Sequence, residues 1–265
     1  MDGMVKKPNE LKLIEGLLKE VVGSPHNSIC DLLDGESINW PCFKEMASYH
    51  EVIPFFYPFL KAFDGYLPAE LFQFIRNNYY CSIFRCQEIQ DEYLRIVRMF
   101  NRTSLIVLPL KGVSFLQDLY RDSPVRPMTD IDLLVQEDSL EDTEGVLLQL
   151  GYEKDLQELK ESYWRIEQCH LTFVNKNHKN LPMIELHWDL DFKRKGRVIL
   201  SALWQRVKKE VVSGDVMYFL SPEDHFFGLV LHNRRLGKPL CLKNVLDVAL
   251  LFKKYKDFDW DYIVR

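Results

Sequence analysis

Met128-Thr129-Asp130-Ile131-Asp132-Leu133-Leu134-Val135 places two carboxylates two residues apart at the head of an apolar run. Side chains alternate across a strand, so Asp130 and Asp132 project to one face, Ile131 to the other, and Leu133 to Val135 continue as a buried strand. Two ionised carboxylates side by side repel each other and resist leaving water. A divalent cation relieves both penalties, and hard oxygen ligands suit Mg²⁺, which keeps its other positions for water and substrate phosphates. A solvated acid pair at a strand mouth is the plain alternative for an isolated D-x-D, so the flanking sequence has to decide.

Upstream, Leu105-Ile106-Val107-Leu108 reads as a short strand, Pro109-Leu110-Lys111-Gly112 as the turn that closes it, and Val113 to Tyr120 as a helix. Such a unit presents backbone N–H groups at a helix N-terminus, where phosphate oxygens are received, with Lys111 alongside as a point charge. Turns of this kind want glycine in any case, so Gly112 alone carries little. Arg121 to Thr129, with Pro124 and Pro127, is a loop that leads into the acidic strand. It sets Arg126 four residues before Asp130, either as a surface charge or as a holder of a triphosphate.

Downstream, Ser139 with Asp142 three residues on resembles a capping box for a helix to Leu150, closed by Gly151. Tyr152 begins a short strand or turn, Glu158 to Arg165 reads as helical, and Cys169 to Val174 as a strand. After a polar hairpin at Asn175 to Asn180, Pro182 to Trp188 forms a further strand, with Glu185 and His187 on one face and Ile184, Leu186 and Trp188 on the other. It is more polar than a buried strand should be, and it runs antiparallel to the strand bearing His170. If the Asp130 strand neighbours the Glu185 strand, three carboxylates converge at one mouth. Two metal ions about 3.5–4 Å apart, bridged by such carboxylates, stabilise the attacking and leaving oxygens of an in-line displacement at phosphorus.

The remainder of the chain is mostly helical. Leu11, Ile14, Leu17, Leu18 and Val21 mark an amphipathic helix stopped by Gly23-Ser24-Pro25; a second helical region runs from Pro41 to Phe63, broken at Pro54 and Pro58; and the longest helix follows Leu67-Pro68 to about Phe100. Its aromatics Phe72, Phe74, Tyr79, Tyr80, Phe84 and Tyr93 read as helix-packing core rather than a base-stacking platform, which would come with clustered basic residues. Trp204 lies in a helix from Leu200 to Val207, and Ser213-Gly214-Asp215 turns a tight hairpin. Ser221-Pro222-Glu223-Asp224 starts a helix to about Asn233, and another runs from Leu240 to Tyr255. The sequence ends at Arg265 inside what looks like the beginning of one more helix, so a truncated helical tail is expected.

Composition excludes some classes. The 265 residues carry 34 basic and 39 acidic side chains, a net charge of -5, which argues against a sequence-independent grip on long nucleic acid. The six cysteines show no CxxC pair and no zinc spacing, and read as reduced thiols of a cytoplasmic protein. No signal peptide or membrane span is expected.

The combination Leu110-Lys111-Gly112, Tyr120, Arg126 with Asp130-Ile131-Asp132-Leu133-Leu134-Val135, Gly151-Tyr152 and Glu185-Leu186-His187-Trp188 resembles the uncharacterised bacterial nucleotidyltransferase family of the DNA polymerase β-like superfamily. Ser221 to Asp224, His232 and Asp247 resemble that family's helical tail, and the likeness covers roughly Leu105 to Trp260. It implies an α+β fold, a nucleotidyltransferase-type mixed sheet with flanking helices, organised as an N-terminal helical region 1–101, an α/β core 102–220 and a C-terminal helical region 221–265. It further implies Asp130, Asp132 and Glu185 as ligands of two Mg²⁺ ions, with Mn²⁺ as a substitute. Lys111, Gly112, Ser114 and Arg126 would lie at the nucleotide, and His170 and His187 would support the carboxylates through hydrogen bonds. The superfamily usually has adjacent Gly-Ser in the turn; here Gly112 is followed by Val113, with Ser114 next. The implied reaction moves a nucleotidyl group, taken as AMP from ATP, to an acceptor hydroxyl with release of pyrophosphate. The alternative is a non-catalytic nucleotide-binding or interaction module, such as a toxin's partner.

Overall fold

In the computed structural model the protein is described over residues 7–24, 29–35, 37–192, 199–236 and 240–263. Pro25 and Arg265, the expected helix stop and the expected truncation point, lie outside the described residues.

The N-terminal helices follow their apolar spacing. Helix α1 (Asn9–Val22) buries Leu13, Ile14 and Leu17, and Gly23, at φ 68, closes it with an N–H bond to the Glu20 carbonyl. Helix α2 spans Ile29–Gly35. Helix α3 (Trp40–Tyr49) opens on Asn39, whose side chain accepts the Cys42 N–H, with Pro41 in its first turn. The prolines then divide the chain into a 3-10 turn at Ile53–Phe55, α4 (Tyr57–Leu60) and a second 3-10 turn at Lys61–Tyr66. Helix α5 runs from Ala69 to Phe100. Its Phe72, Tyr79 and Tyr80 gather around Tyr57 at ring distances of 6.0, 5.1 and 5.8 Å, which is packing. Phe84 departs from the core expected for it: it stands 70% exposed.

Strand β1 is only Leu108–Pro109, shorter than the Leu105–Leu108 strand expected, and α6 follows at Lys111–Asp118. The strand lies at a sheet edge, where Leu108 and Pro109 pair with Leu134 and Leu133 of β2. The acidic strand β2 is Asp130–Leu134. A 3-10 turn at Glu137–Ser139 runs straight into α7 (Leu140–Gln149), so Ser139 does not cap α7 with its side chain; its carbonyl instead accepts the Thr143 hydroxyl. Then come β3 (Glu153–Asp155), α8 (Glu161–Glu167), β4 (His170–Val174), β5 (Met183–His187), α9 (Ser201–Arg206), and the hairpin β6 (Lys208–Val212) and β7 (Asp215–Phe219), turned by Ser213 and Gly214 at φ 52 and 90. Helices α10 (Pro222–Leu236), α11 (Leu242–Lys254) and α12 (Trp260–Ile263) complete the described chain.

The five-stranded sheet has the order β1-β2-β5-β4-β3. Strands β2 and β5 are parallel, with Asp132 opposite Glu185, and β4 and β5 are antiparallel, with His170 opposite His187 and Thr172 opposite Glu185. One face carries Ile131, Leu133, Leu171, Phe173, Ile184 and Leu186, all 0% exposed. The other carries the acids and histidines and, at the far end of β2, Leu134, which packs with Leu108, Leu110, Leu190 and Leu220. One face is thus bound to bury, and that fixes the register: a slip by one residue would drive the acids into the apolar layer.

The described residues form two compact units, one drawn from Met1–Phe84, Val125–Pro127 and Leu240–Lys253, the other from Arg85–Pro124, Met128–Pro239 and Lys254–Arg265. Helix α11 groups with the N-terminal helices. Within the first unit the short segment Val125–Pro127 is held by three polar contacts. The Ser82 hydroxyl donates to the Val125 carbonyl at 2.7 Å, Lys243 Nζ donates to the Pro127 carbonyl at 3.4 Å, and Arg126 forms a two-pronged ion pair with Asp247, Nε to Oδ1 at 2.9 Å and Nη2 to Oδ2 at 2.7 Å. Both partners of that pair are buried, at 5% and 0% exposure. Removing one partner of a buried ion pair strands the other's charge. Asp247→Ala should therefore lower unfolding free energy by about 3–5 kcal/mol in urea titrations, and Arg126→Met with Asp247→Leu together should recover much of it.

Candidate active site

The site grows from one buried carboxylate. Asp132 is 4% exposed, yet it sits on the polar face of β2, and two elements converge on it. From β5, His187 brings Nε2 to 3.1 Å from Asp132 Oδ1 and to 3.2 Å from Glu185 Oε2. From the turn after β1, Lys111 brings Nζ to 2.7 Å from the same Oδ1 and donates to His232 Nδ1 of α10 at 3.4 Å. That turn is fixed to β2 at the same residue, because the Leu110 N–H donates to the Asp132 carbonyl at 2.9 Å. The His170 ring lies 4.9 Å from that of His187, tilted by 36°.

Lys111 occupies the left-handed region, at φ 42. For a residue with a Cβ this costs roughly 1–2 kcal/mol, and such strain collects where function holds it. The residue of the Lys-Gly turn that needs the unusual conformation is Lys111; Gly112 is the second residue of α6 and is buried.

Charge explains the protonation states. Burial opposes ionisation of Asp132, but Lys111 beside it, together with His187, outweighs burial and holds the carboxyl well below the ordinary carboxylate range. Burial likewise raises Glu185 and the nearby Asp132 adds to that, yet its bond to His187 leaves it lowered on balance. His187 would be driven down by burial; hydrogen bonds to Asp132, Cys169 and Glu185 reverse this and push it up to about 10. His225, on α10, is the opposite case: burial pushes it down to about 4, and its Nε2 lies 3.2 Å from the Ser114 hydroxyl of α6. A cavity of ≈ 20 Å³, room for a water, opens among Lys111, His187, Asp224, His225 and His232.

Of the residues singled out in the sequence, the fold brings together Asp132, Glu185, His187 and Lys111, with His170 against His187. One ligand atom each from Asp132, Glu185 and His187 lies within 4.8 Å of the others, so these three could hold a metal ion. Asp130 shares their strand face, half-exposed and opposite Met183, but is not part of that close group. Ser114 and Gly112 lie in α6, Ser114 turned to His225. Arg126 is engaged by Asp247 in the first unit. His225 is marked by no motif; its one signal is its seven-residue spacing from His232, two turns along α10 on the same face.

Carboxylates in register on adjacent parallel strands, a lysine at a helix N-terminus behind them and a mixed sheet flanked by helices make this an α+β protein of the nucleotidyltransferase type. Residues 36–265 match the family model described as "Uncharacterised nucleotidyltransferase", and the chain belongs to that family. It is a transferase with a nucleotide substrate and an acceptor. Among solved structures, that of ANT(2″)-Ia in complex with adenylyl-2″-tobramycin is similar at 13% sequence identity and a TM-score of 0.43, covering 62% of this chain and 88% of that one. No curated protein matches the chain.

The histidine shifts have opposite signs. The folded value of His187 lies above the ordinary 6.5, so its contribution to stability is complete below about pH 6.5 and is lost as pH rises through about 10. That of His225 lies below 6.5, so its contribution is complete above pH 6.5 and is lost as pH falls through about 4. In metal-free protein, histidine NMR titration should show one ring with an apparent midpoint near 10 and one near 4. Two midpoints near 6.5 would contradict the burial and contacts described.

Proposed function

We propose that this chain transfers a nucleotidyl group, AMP from ATP, to an acceptor hydroxyl with release of pyrophosphate. The observation that carries the reading is the pairing of Asp132 with Glu185 across parallel strands, their donor atoms gathered with His187 beside a lysine that already faces one carboxylate. Hard carboxylate oxygens at this spacing suit magnesium, with manganese as substitute. Asp132 and Glu185, with Asp130 on the same face at the strand mouth, are the residues that would hold it. Bound there, magnesium supplies charge neutralisation at phosphate oxygens and lowers the pKa of a bound hydroxyl.

The chain's own residues perform the rest of the proposed reaction. Lys111, at the start of α6, has an ammonium within reach of Asp132 that can turn to a phosphate oxygen, and a helix N-terminus is where phosphate oxygens are received. Glu185, partly open where Asp132 is closed, is the acceptor of the hydroxyl proton. His187 donates from Nε2 and holds both carboxylates in their rotamers. Arg126 reaches a triphosphate only by leaving Asp247, so its part in the proposal is to fix the segment Val125–Pro127. Among the described residues no helix is long and apolar enough to cross a membrane, and six cysteines held as thiols rather than disulfides fit a reducing, cytoplasmic setting.

Incubation with ATP, Mg²⁺ and a panel of hydroxyl acceptors should yield pyrophosphate together with an acceptor heavier by one AMP group. Asp130→Asn, Asp132→Asn and Glu185→Gln, chosen to keep side-chain size, should each slow transfer on the order of 10²–10³-fold or more while circular dichroism stays unchanged. Nucleotide binding by calorimetry with no pyrophosphate over the whole panel would instead favour the non-catalytic binding module.

A further inference from the structure

A second cluster lies against the back of His187. Cys169, His170 and His187 each offer one ligand atom, and the three atoms lie within 4.8 Å of one another. Cys169 immediately precedes β4 and accepts the Trp188 N–H on its carbonyl at 3.1 Å, which ties it to the end of β5. Its Sγ is 3.8 Å from His170 Nδ1. At the tetrahedral angle, Zn–S of about 2.3 Å and Zn–N of about 2.05 Å place sulfur and nitrogen roughly 3.6 Å apart, so the pair already stands near ligand spacing. Cys169 is 0% exposed, whereas His170 is half-exposed and leaves a way in.

His187 supplies the independent observation. The side chain is 2% exposed, its Nε2 is committed to Asp132 and Glu185, and its Nδ1 is buried with no oxygen or nitrogen partner, the Cys169 thiol being its one hydrogen-bonding neighbour. A buried polar atom in that condition calls for an explanation, such as an ion it would ligate. The opposite side of the ring has the arrangement that supports ligating histidines, since Nε2 bonds to carboxylates that orient the imidazole and raise its basicity.

We propose that Cys169 Sγ, a His170 ring nitrogen and His187 Nδ1 bind one divalent transition metal of borderline softness, zinc by preference, at a site separate from the oxygen donors that suit magnesium. A thiolate and two imidazoles select zinc, cobalt or copper over magnesium. Binding is balanced by release of two protons, one from the Cys169 thiol and one from the His187 Nδ1, while Nε2–H goes on donating to the carboxylates. The fourth coordination position falls to water. The site acts on the carboxylates through the His187 ring, which the metal locks in one orientation, so His187 is a positioning residue shared by two sites. The proposal does not depend on the acceptor or on turnover.

The test uses Co²⁺ as the probe, in the full chain with exposed Cys30 and Cys81 replaced by serine and without nucleotide. Titration should give, at one equivalent, the intense visible bands of four-coordinate cobalt and a near-ultraviolet thiolate-to-cobalt band, both erased by an equivalent of Zn²⁺. Cys169→Ser should remove the near-ultraviolet band, and the half-exposed His170→Ala should weaken binding at least about tenfold. Asp132→Asn, which removes a carboxylate partner of Nε2, should keep the band and weaken binding about 10- to 100-fold. Absence of the band, or a band that persists unchanged in both Cys169→Ser and His170→Ala, overturns the site and leaves the nucleotidyltransferase reading untouched.

Discussion

A carboxylate that is ionised and out of water survives only with partners, and Asp132 is that carboxylate here. Much of the second unit's architecture serves this need. The parallel pairing of β2 with β5 sets Glu185 and His187 at its side; the left-handed backbone at Lys111 turns an ammonium onto its Oδ1; and α10 supplies His232 to share that ammonium. Each contact is modest in water and stronger in a closed site, where the same low dielectric makes a missing partner expensive. The apolar layer on the opposite sheet face keeps the register from slipping, so packing on one side fixes the chemistry on the other.

His187 is where two demands meet. Its Nε2 bonds to two acids of unequal exposure, side-chain values of 5% for Asp132 and 24% for Glu185, and the imidazolium charge stabilises both. A neutral glutamine there could keep one hydrogen bond and would lose that charge. The first unit solves a comparable problem without chemistry: Arg126 and Asp247 bury a full ion pair that fixes a three-residue segment against α11. An arginine next to an acidic strand invites a phosphate-binding reading, yet two-pronged pairing with a wholly buried aspartate is the structural use of the same side chain.

Local pattern makes part of this legible in the sequence. The period-two alternation of Asp130 to Leu134 and of Met183 to His187 reveals both strands and which residues share a face, and Ser221-Pro222 marks the start of α10. The Leu105–Leu108 run reads as a full strand because hydrophobicity carries no information about edge position or about which residues find a partner on β2. Ser139 matches a capping pattern but stands in a 3-10 turn, where its own backbone is already helical enough to pass into α7. The contacts that cannot be read are those of long sequence separation. Nothing near Arg126 announces Asp247, nothing near Ser114 announces His225, and the turn sequence suggests Gly112 rather than Lys111 as the residue of unusual conformation.

The two aspartates of the D-x-D pair are equivalent in sequence and unequal in the fold. Asp132 is closed in, with Lys111 and His187 on one oxygen, and so is fixed before any substrate arrives. Asp130, one pleat nearer the start of β2, is half-exposed and opposite Met183, itself 42% exposed, at the mouth of the two strands. In the proposed reaction a fixed inner acid and an open outer acid would divide the work: the first would set the geometry at no reorganisation cost, the second would adjust to the ligand as water leaves. The same inequality separates Glu185 from Asp132. In the proposed reaction proton acceptance is assigned to the glutamate, because the aspartate already holds two positive neighbours that keep it ionised and make it the weaker base.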